Sequence, residues 1–303
     1  MFQARSNIAF YPRLESDLRR AVEQEEFVMR YQPIVSLSSG KITGAEALIR
    51  WQHPQQGLIR PSEFIPVAEE TGLINVIGAQ VLRAACKQAK VWHDAGLPRM
   101  RMSVNISPRQ LQHPNLFEAV HESLLESGLD RTLLELELTE TTLVEGVEIS
   151  VQALRRLGGL GVQISLDDFG TGCSFVTHLH RFPVSRLKMD GVFIREITRS
   201  NGESPIAAGL IAFAHGLNLG VTFEGVETIE QLAFLRKNKC DEVQGYWVSP
   251  PLEPGAFAGF VKTWRHDAVL RKSKFGPGRA NEVSDKSSED ASSMAYETPS
   301  AHA

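Results

Sequence analysis

The sequence predicts a modified TIM-like (β/α)8 barrel, an α/β fold in which one strand runs antiparallel to the others. Eight strand-like patterns alternate with helical patterns over about 240 of the 303 residues, which is the size and rhythm of such a barrel. Only the turn signal Ser38-Ser39-Gly40 separates the first two strands, so we expect a hairpin and one antiparallel strand. The alternative, an open doubly wound sheet, requires a glycine-rich phosphate loop after its first strand, and the sequence has none there.

The individual elements follow from hydrophobic periodicity. A leading helix is predicted over 14–26, because Leu14, Leu18, Ala21 and Val22 fall on a helical spacing. The predicted strands are apolar runs bounded by turn signals, at 27–37, 42–51, 100–107, 133–139, 162–168, 186–190, 220–226 and 242–249. The predicted helices carry apolar residues at helical spacing, at 61–71, 73–95, 114–127, 145–157, 204–217, 228–238 and 255–264.

The predicted domain organisation follows from where this alternation stops. We predict that residues 14–265 form the barrel domain and that residues 1–13 are an N-terminal extension. The stretch 272–278 is basic and rich in turn residues, and 285–303 is dominated by Ser, Glu, Asp, Thr and Ala. Such a segment cannot bury enough apolar surface to offset the entropy of ordering, so 266–303 is predicted to be a disordered C-terminal tail.

Composition excludes several classes of protein. Hydrophobic residues make up 42% of the chain, which is enough for a large core and argues against an extended disordered chain. With 36 acidic and 32 basic residues the formal net charge is -4, which argues against a general binder of nucleic acid polymers. No apolar run approaches the ~20 residues that span a bilayer, and the N-terminus lacks a signal-peptide pattern. We therefore expect a cytoplasmic protein without a membrane partner.

Polar side chains interrupt the predicted strands near their carboxyl ends, strand after strand. They are Glu46, Asn105, Glu137, Asp167, Asp168, Lys188, Asp190, Glu224 and Gln244. Each one alone would be read as a hydrogen-bonded or solvated side chain. Because the carboxyl ends of barrel strands meet at one mouth, where barrel enzymes carry out their chemistry, we expect the set to form a single site.

The residue types in this set predict metal chemistry. Carboxylates packed together repel one another unless a cation neutralises them. Carboxylates with a side-chain amide, and without His or Cys, are typical ligands of Mg²⁺ or Mn²⁺. The adjacent Asp167 and Asp168 can reach two metals, and a two-metal site beside a lysine suits in-line attack of water on a phosphodiester. Lys188 could hold that water or stabilise the phosphate charge, and its alternative is a structural salt bridge.

Eight short motifs follow one another along the chain. They are Tyr31-Gln32-Pro33-Ile34-Val35, Glu46-Ala47-Leu48-Ile49-Arg50-Trp51, Asn105, Glu137-Leu138-Thr139-Glu140, Asp167-Asp168-Phe169-Gly170-Thr171-Gly172, Leu187-Lys188-Met189-Asp190, Glu224-Gly225-Val226-Glu227-Thr228 and Gln244-Gly245-Tyr246. In type and order they resemble the motifs of the EAL-domain family, the phosphodiesterases of the bacterial second messenger cyclic di-GMP. The resemblance covers residues 14–260. It implies a modified (β/α)8 barrel that hydrolyses cyclic di-GMP to linear pGpG and forms a homodimer.

The resemblance also implies two bound divalent cations, Mg²⁺ or Mn²⁺. The implied ligands of the first metal are Glu46, Asn105, Glu137 and Asp167. The implied ligands of the second metal are Asp167 and Asp168, with Glu224 as a further ligand or as the base acting on the water. Lys188 would contact the attacking water.

Other matching residues have implied roles outside the metal centre. The implied substrate contacts are Gln32, Leu48, Arg50 and Gln244. Among these, Arg50 is suited to a phosphate, because a guanidinium can donate two parallel hydrogen bonds. Glu140 and Glu227 would brace the loop after the predicted strand 162–168 rather than take part in the chemistry.

Two segments depart from the family pattern. After Gly172 the family usually has Tyr-Ser-Ser, where this chain has Cys173-Ser174-Phe175. After Asp190 it usually has Arg-Ser-Phe, where this chain has Gly-Val-Phe at 191–193. Neither departure removes an implied metal ligand.

An alternative function belongs to a different class. Some EAL domains are catalytically silent, bind cyclic di-GMP and act through a protein partner. Silent members typically lack metal ligands or the catalytic lysine. This chain has all of them, from Glu46 to Lys188 and Glu224, which favours the enzyme.

Overall fold

The computed structural model describes residues 4–144, 147–171, 179–195, 197, 203–266 and 269. The helices of this part are α1 (Ala4–Glu23), α2 (Pro61–Thr71), α3 (Ile74–Asp94), α4 (Pro108–Leu111), α5 (Leu116–Ser127), α6 (Glu140–Val144), α7 (Val147–Gly159), α8 (Pro205–Gly216), α9 (Ile229–Lys237) and α10 (Pro254–Thr263). Its strands are β1 (Phe27–Ser36), β2 (Ile42–His53), β3 (Gly57–Ile59), β4 (Arg101–Asn105), β5 (Leu134–Thr139), β6 (Gln163–Asp167), β7 (Arg186–Met189), β8 (Gly220–Phe223) and β9 (Glu242–Val243).

Eight of these strands form a closed barrel. Neighbouring strands are hydrogen-bonded in the order β1-β9-β8-β7-β6-β5-β4-β2, and a pairing between β1 and β2 closes the ring. The strand pairs from β2 through β4 to β9 are parallel, whereas β1 is antiparallel to both β2 and β9. The short β3 pairs antiparallel with the end of β2. The predicted barrel with one antiparallel strand is therefore confirmed.

The hairpin that reverses the chain between β1 and β2 depends on Gly40. This residue has a φ of 68°, in the left-handed region that glycine tolerates. A Cβ atom at Gly40 would collide with the carbonyl oxygen of His266. The Gly40 carbonyl also accepts a hydrogen bond of 2.8 Å from Trp264 Nε1. Glycine therefore allows the turn to pack closely against the residues that follow α10.

The interior of the barrel is polar below its mouth. Alternate residues of a strand face the same side of the sheet, so a residue two positions before an inward-facing side chain also points inward. Four side chains that lie two residues before a polar residue of the barrel mouth have an exposed fraction of 0%: Ser103, Glu135, Ser165 and Thr222. The apolar core lies on the other face of the strands, where residues such as Leu136 are packed under the helices.

Two buried glutamates and two largely buried arginines, here called the floor network, lie near the amino ends of the strands: Arg101, Glu135, Arg186 and Glu242. Arg101 Nη2 donates to Glu242 Oε2 at 2.6 Å, and Arg186 Nη1 lies 3.0 Å from the same oxygen. Glu135 Oε2 lies 3.4 Å from Arg101 Nε and 3.6 Å from Arg186 Nε. Two cations and two anions thus compensate one another, which buried charges require.

The floor network predicts a large stability effect for Glu242→Gln. The substitution removes the charge that Arg101 and Arg186 share but keeps the shape of the side chain. Leaving a buried charge without its partner costs about 3–5 kcal/mol, and we expect the free energy of unfolding in urea to fall by that amount at neutral pH. The matched control is Glu122→Gln on the exposed face of α5, which should change it by less than about 0.5 kcal/mol.

Glu242→Gln should also change how the free energy of unfolding depends on pH in the acidic range. Burial alone would raise the pKa of Glu242, but the hydrogen bond and charge of Arg101, with the charge of Arg186, hold that pKa below its ordinary value. Such a carboxyl contributes stability above its unfolded pKa of about 4.3, and this contribution is lost as pH falls through the folded pKa. Below about pH 4 the unaltered protein should therefore lose stability more steeply than Glu242→Gln. Equal slopes would contradict this account.

Some element boundaries differ from the prediction. Helix α1 begins at Ala4 and passes through residue 14 without interruption, so the domain boundaries at 14 and 265 stay predictions. Strand β9 ends at Val243 instead of 249, because the backbone turns at Gly245, whose carbonyl accepts from the N–H of Val248 at 3.0 Å. The short elements β3, α4 and α6 were not predicted, although Ser107 and Gln110 form a capping box at the start of α4.

Parts of the sequence predictions fall outside the described residues. These are the altered loop Cys173-Ser174-Phe175 and almost all of the tail 266–303. The described residues, from α1 to 269, belong to one compact unit. None of the helices in this described part is long and apolar enough to cross a bilayer.

Candidate active site

Lys188 on β7 lies at the centre of a ring of carboxylates at the barrel mouth, and only 1% of its surface is exposed. Its Nζ lies 2.5 Å from Glu137 Oε2 and 2.5 Å from Glu224 Oε1. Glu46 Oε2 and Asp167 Oδ1 each lie 3.6 Å from the same nitrogen. One ammonium is therefore shared by four carboxylates that come from different strands. This arrangement raises the pKa of Lys188 well above its ordinary value, although burial acts in the opposite direction.

Glu46 on β2 is held by two side-chain amides. Asn105 Nδ2 donates to Glu46 Oε1 at 2.8 Å, and Gln244 Nε2 donates to Oε2 at 2.6 Å. Gln32, which is opposite Glu46 in the β1–β2 register, accepts a second hydrogen bond of 3.0 Å from Gln244 Nε2. Burial alone would raise the pKa of Glu46, but the charge of Lys188 and the two amide donors hold it below its ordinary value. Glu46 is therefore an oriented and ionised carboxylate.

Glu137 and Asp167 are placed by the parallel strands β5 and β6. The register pairs Asn105 with Glu137, so these two predicted ligands are neighbours across β4 and β5. Burial raises the pKa of both Glu137 and Asp167, Lys188 opposes the shift, and the negative charge of Glu46 adds to it. Glu137 Oε1 is buried and has no hydrogen-bond partner among the described residues. This oxygen is available to a cation.

The backbone turns sharply at Asp168, directly after β6. Its φ of 54° lies in the left-handed region, which is uncommon outside glycine and is found at functional sites. The N–H of Asp168 donates to Asp167 Oδ1 at 2.9 Å, and the N–H of Phe169 donates to the Lys188 carbonyl at 3.0 Å. Consecutive side chains of a regular strand would point to opposite faces. Because the strand ends here, both carboxylates can serve one site.

Glu224 follows β8 and completes the ring. Its side chain is 25% exposed, yet its carboxylate contacts the buried Lys188 ammonium. Burial raises the pKa of Glu224 to about 8, with the charges of Asp167 and Glu46 adding to the shift and Lys188 opposing it. The predicted ligand Asp168 has its pKa raised by burial and by the charge of Asp190. Five carboxyl groups thus lie around one ammonium, which is why the pKa values of several of them are raised.

This donor set suits hard divalent cations. Oxygen atoms from carboxylates and one amide surround the site, and the unpartnered Glu137 Oε1 lies among them. In the described part of the chain, no three acidic, His or Cys side chains already surround one metal position. Lys188 Nζ lies within 3.6 Å of four of the same carboxylates. The residues that could hold cations are Glu46, Asn105, Glu137, Asp167, Asp168 and Glu224.

The predicted substrate contacts lie beside this ring. Gln32 and Gln244 are buried within it, whereas Leu48 and Arg50 are half-buried further along β2. Arg50 Nη1 donates to the carbonyl of Ile49 at 2.8 Å, and within the described residues Arg50 forms no ion pair. Burial lowers the pKa of Arg50. Most of its guanidinium donors are therefore available to an anion.

The two predicted loop-bracing residues differ in position. Glu140, the first residue of α6, is buried, and its Oε2 accepts a hydrogen bond of 3.3 Å from the N–H of Gly170. It thus contacts the start of the predicted loop. Glu227 is exposed just before α9, where its N–H donates to Gln231 Oε1 at 2.7 Å. Because 172–178 lie outside the described residues, bracing by Glu227 stays a prediction.

The floor network was not predicted, although the sequence contains a signal for it. Glu135 lies two residues before Glu137, and Arg186 lies two residues before Lys188. In a strand this spacing puts both side chains on the same face. A second polar layer therefore lies beneath the residues of the barrel mouth. The residues at the strand ends alone do not indicate it.

The sequence model of the EAL domain matches residues 15–251 of the chain. The chain belongs to the EAL family. This EAL domain is 43% identical over 256 residues to the cyclic di-GMP phosphodiesterase NbdA of Pseudomonas aeruginosa, covering 84% of the chain and 33% of that protein. It is 39% identical over 251 residues to the cyclic di-GMP phosphodiesterase PdeR of Escherichia coli, covering 83% of the chain and 38% of that protein. The chain thus spans about a third of the length of the curated relatives it matches.

A solved structure of the PaMucR phosphodiesterase in complex with c-di-GMP has a similar fold. It superimposes on this EAL domain with a TM-score of 0.77 at 41% identity. The match covers 81% of this chain and 99% of the PaMucR chain. The barrel fold is therefore shared with this solved structure.

Proposed function

We propose that this EAL domain is an enzyme that hydrolyses cyclic di-GMP to linear pGpG in bacterial second-messenger signalling. The observation that carries the proposal is the ring of carboxylates around Lys188, with oxygens 2.5–3.6 Å from its Nζ. Buried charges are weak contributors to stability, so a cluster of this density is better explained by chemistry than by folding. The names of NbdA, PdeR and PaMucR support the choice of substrate.

The proposed enzyme requires two divalent cations, Mg²⁺ or Mn²⁺. One would be held by Glu46, Asn105, Glu137 and Asp167. The other would be held by Asp167 and Asp168, together with Glu224. When bound, the cations would polarise the phosphate oxygens and lower the pKa of a water molecule. The unpartnered oxygen of Glu137 supports this assignment.

In the proposed reaction, a water oxygen attacks one phosphorus atom of the cyclic dinucleotide. A new P–O bond forms and the P–O bond to the 3′ ribose oxygen breaks, so the linear product carries a 5′ phosphate. Glu224 would take a proton from the attacking water, and the leaving 3′ oxygen would gain one from solvent. Lys188 would hold the water and stabilise the charge that develops on the phosphate.

Four side chains would bind the dinucleotide outside the metal centre: Gln32, Leu48, Arg50 and Gln244. Arg50 is suited to a phosphate, since its guanidinium forms no ion pair within the described residues. Glu140 and Glu227 would hold the loop after Asp168 in place. The hydrogen bond from Gly170 to Glu140 supports the first of these two roles.

The same proposal includes a cytoplasmic homodimer. A second messenger acts inside the cell, which supports this location, and the resemblance to the family supports the dimer. Light scattering should give a mass of twice the 33.6 kDa of the chain. A monomer mass at micromolar concentration would contradict the dimer without affecting the hydrolytic proposal.

A product assay tests the proposed activity. Purified protein with cyclic di-GMP and Mg²⁺ or Mn²⁺ should form pGpG, which chromatography separates from the substrate. Chelation with EDTA should stop product formation, and added cation should restore it, because the carboxylates need a cation to bind an anion productively. Binding of cyclic di-GMP without any pGpG would overturn the enzyme and support the alternative, a catalytically silent effector that acts through a protein partner.

A further inference from the structure

Strand β1 pairs with β2 along one edge, while its other edge is only partly covered. On that second edge β9 pairs with Val35 and Ser36, and Tyr31 exchanges two hydrogen bonds of 2.8 Å with Leu252. The chain then enters α10 at Pro254, and no strand of the described residues pairs with this edge between the start of β1 and Tyr31. The first residues of β1 therefore have an uncovered edge.

The backbone groups of Phe27 and Met29 point towards this uncovered edge. Tyr31 directs its N–H and C=O away from β2, and this direction recurs at every second residue of an antiparallel strand. Among the described residues, neither Phe27 nor Met29 has a backbone hydrogen bond on the outer side. Edge strands are usually protected by proline or charged side chains, whereas these two residues are apolar. Their N–H and C=O groups are therefore available to another strand.

The uncovered edge lies in a groove between β1, α3 and the start of α10. Helix α3 contributes Lys87, Gln88 and Val91 to the lining, and the start of α10 contributes Pro254. Val91 is 51% exposed although it is apolar. The groove thus combines free backbone groups of a strand with apolar surface, which is the combination that binds an extended peptide.

The charged side chains of the groove favour one kind of peptide. Arg30 and Glu253 compensate each other, since Arg30 Nη1 lies 2.6 Å from Glu253 Oε1. Lys87 is exposed and forms no ion pair within the part of the chain that the structure describes. The lining therefore carries one uncompensated positive charge, and the complementary ligand carries a carboxylate.

We propose that the groove beside β1 binds an extended acidic segment of a partner protein, which adds to the barrel as a further strand. Hydrogen bonds to the backbone of Phe27 and Met29 supply most of the affinity, and Lys87 selects a carboxylate. None of the residues assigned to the metals or to the dinucleotide lines this groove. The inference is therefore independent of the proposed hydrolysis, and either one can fail without the other.

Charge selection is tested with two labelled peptides, Thr-Val-Glu-Val-Glu-Val-Thr and its counterpart with Lys in place of both Glu. Fluorescence anisotropy with the full chain should show saturable binding and a higher affinity for the acidic peptide. Lys87→Glu should weaken binding of the acidic peptide and strengthen binding of the basic one, each about 2- to 5-fold, as expected for an exposed ion pair. The control Lys262→Glu, at the exposed end of α10, should change neither affinity. Absence of saturable binding, or equal affinities for the two peptides, would overturn the proposal.

Strand addition is tested at the backbone. Met29→Pro removes the outward N–H and leaves the hydrogen bonds between β1 and β2, since proline is tolerated where a strand N–H faces solvent. It should weaken binding of the acidic peptide at least about 10-fold, whereas Met29→Leu keeps the N–H and should stay within about twofold. Circular dichroism checks that both variants keep the fold. Unchanged binding by a folded Met29→Pro would contradict strand addition.

A second measurement leaves the protein unaltered and changes the peptide. Only every second amide of an added strand faces β1, so methyl groups on one alternate set of amide nitrogens should abolish binding. Methyl groups on the other set should leave the affinity within about threefold, because those N–H groups point to solvent. An equal effect of the two sets would show that the peptide does not bind as a strand, and the proposal would fail.

Discussion

Lys188→Met is expected to reduce kcat for cyclic di-GMP about 100- to 1,000-fold, the usual effect of removing a group that stabilises developing charge. The Lys188 ammonium lies 2.5 Å from carboxylate oxygens of both Glu137 and Glu224 and is the cation shared by the whole ring. Methionine keeps most of the length and apolar volume of the side chain and removes the charge. The measurement is initial-rate formation of pGpG at saturating Mg²⁺ and substrate.

A second readout separates catalysis by Lys188 from a structural role. Without its ammonium the metal-free protein holds several buried carboxylates without a partner, which costs about 3–5 kcal/mol of unfolding free energy. Added Mn²⁺ should recover much of this loss, because bound cations then neutralise the same carboxylates. Calorimetry should show that Mn²⁺ still binds. Loss of Mn²⁺ binding would mean that Lys188 orients the ligands, and full activity would place the reaction elsewhere. The control is Lys262→Met, an exposed lysine on α10.

Glu46→Ala is expected to lower the affinity for Mn²⁺ at least about 100-fold, since even supporting residues of metal sites contribute 10- to 100-fold. Both oxygens of Glu46 are oriented, one by Asn105 at 2.8 Å and the other by Gln244 at 2.6 Å. Removing the carboxylate takes away a ligand and leaves both amides without their acceptor. Turnover should fall at ordinary Mn²⁺ concentrations. Metal titration calorimetry and pGpG formation as a function of Mn²⁺ measure the two effects.

Glu46→Gln tests charge separately from shape. Its amide can accept only through one oxygen, so either Asn105 or Gln244 would face a second donor. We expect an affinity as low as that of Glu46→Ala, because the negative charge is the ligand property that Mn²⁺ requires. The control is Glu126→Ala, whose exposed ion pair with Arg83 contributes little to stability and is distant from the mouth. Unaltered Mn²⁺ affinity in both Glu46 variants would remove Glu46 from the metal site.

Most helices and strands could be predicted because their signals lie in neighbouring residues. Helix α2 begins at Pro61 and ends at Thr71 as predicted, since proline suits the first helical position and Gly72 adopts a φ of 77° after the last one. The hairpin could be predicted from Ser38-Ser39-Gly40, because these turn residues are also neighbours in the sequence. Strand β9 was predicted too long because the chain turns at Gly245, where it packs against a distant segment at Val226.

The candidate site was predictable as a set of residues but not as an arrangement. Barrel topology alone brings Glu46, Glu137 and Glu224 to one mouth, so their occurrence at strand ends was enough to group them. Whether Lys188 faces these carboxylates or the solvent depends on atoms of several strands at once. The left-handed φ of 54° at Asp168 likewise has no local signal, because aspartate adopts that region only when the surroundings stabilise it.

By itself, the sequence determined the modified barrel, its antiparallel strand and the residues gathered at its mouth, since hydrophobic period, turn residues and motif order are all local properties of the chain. Only the tertiary structure decided that one ammonium is shared by four carboxylates and that a floor network lies beneath them. Those relations depend on strand register and barrel closure. Both are set by hydrogen bonds between segments far apart in sequence, and no local pattern encodes the resulting distances.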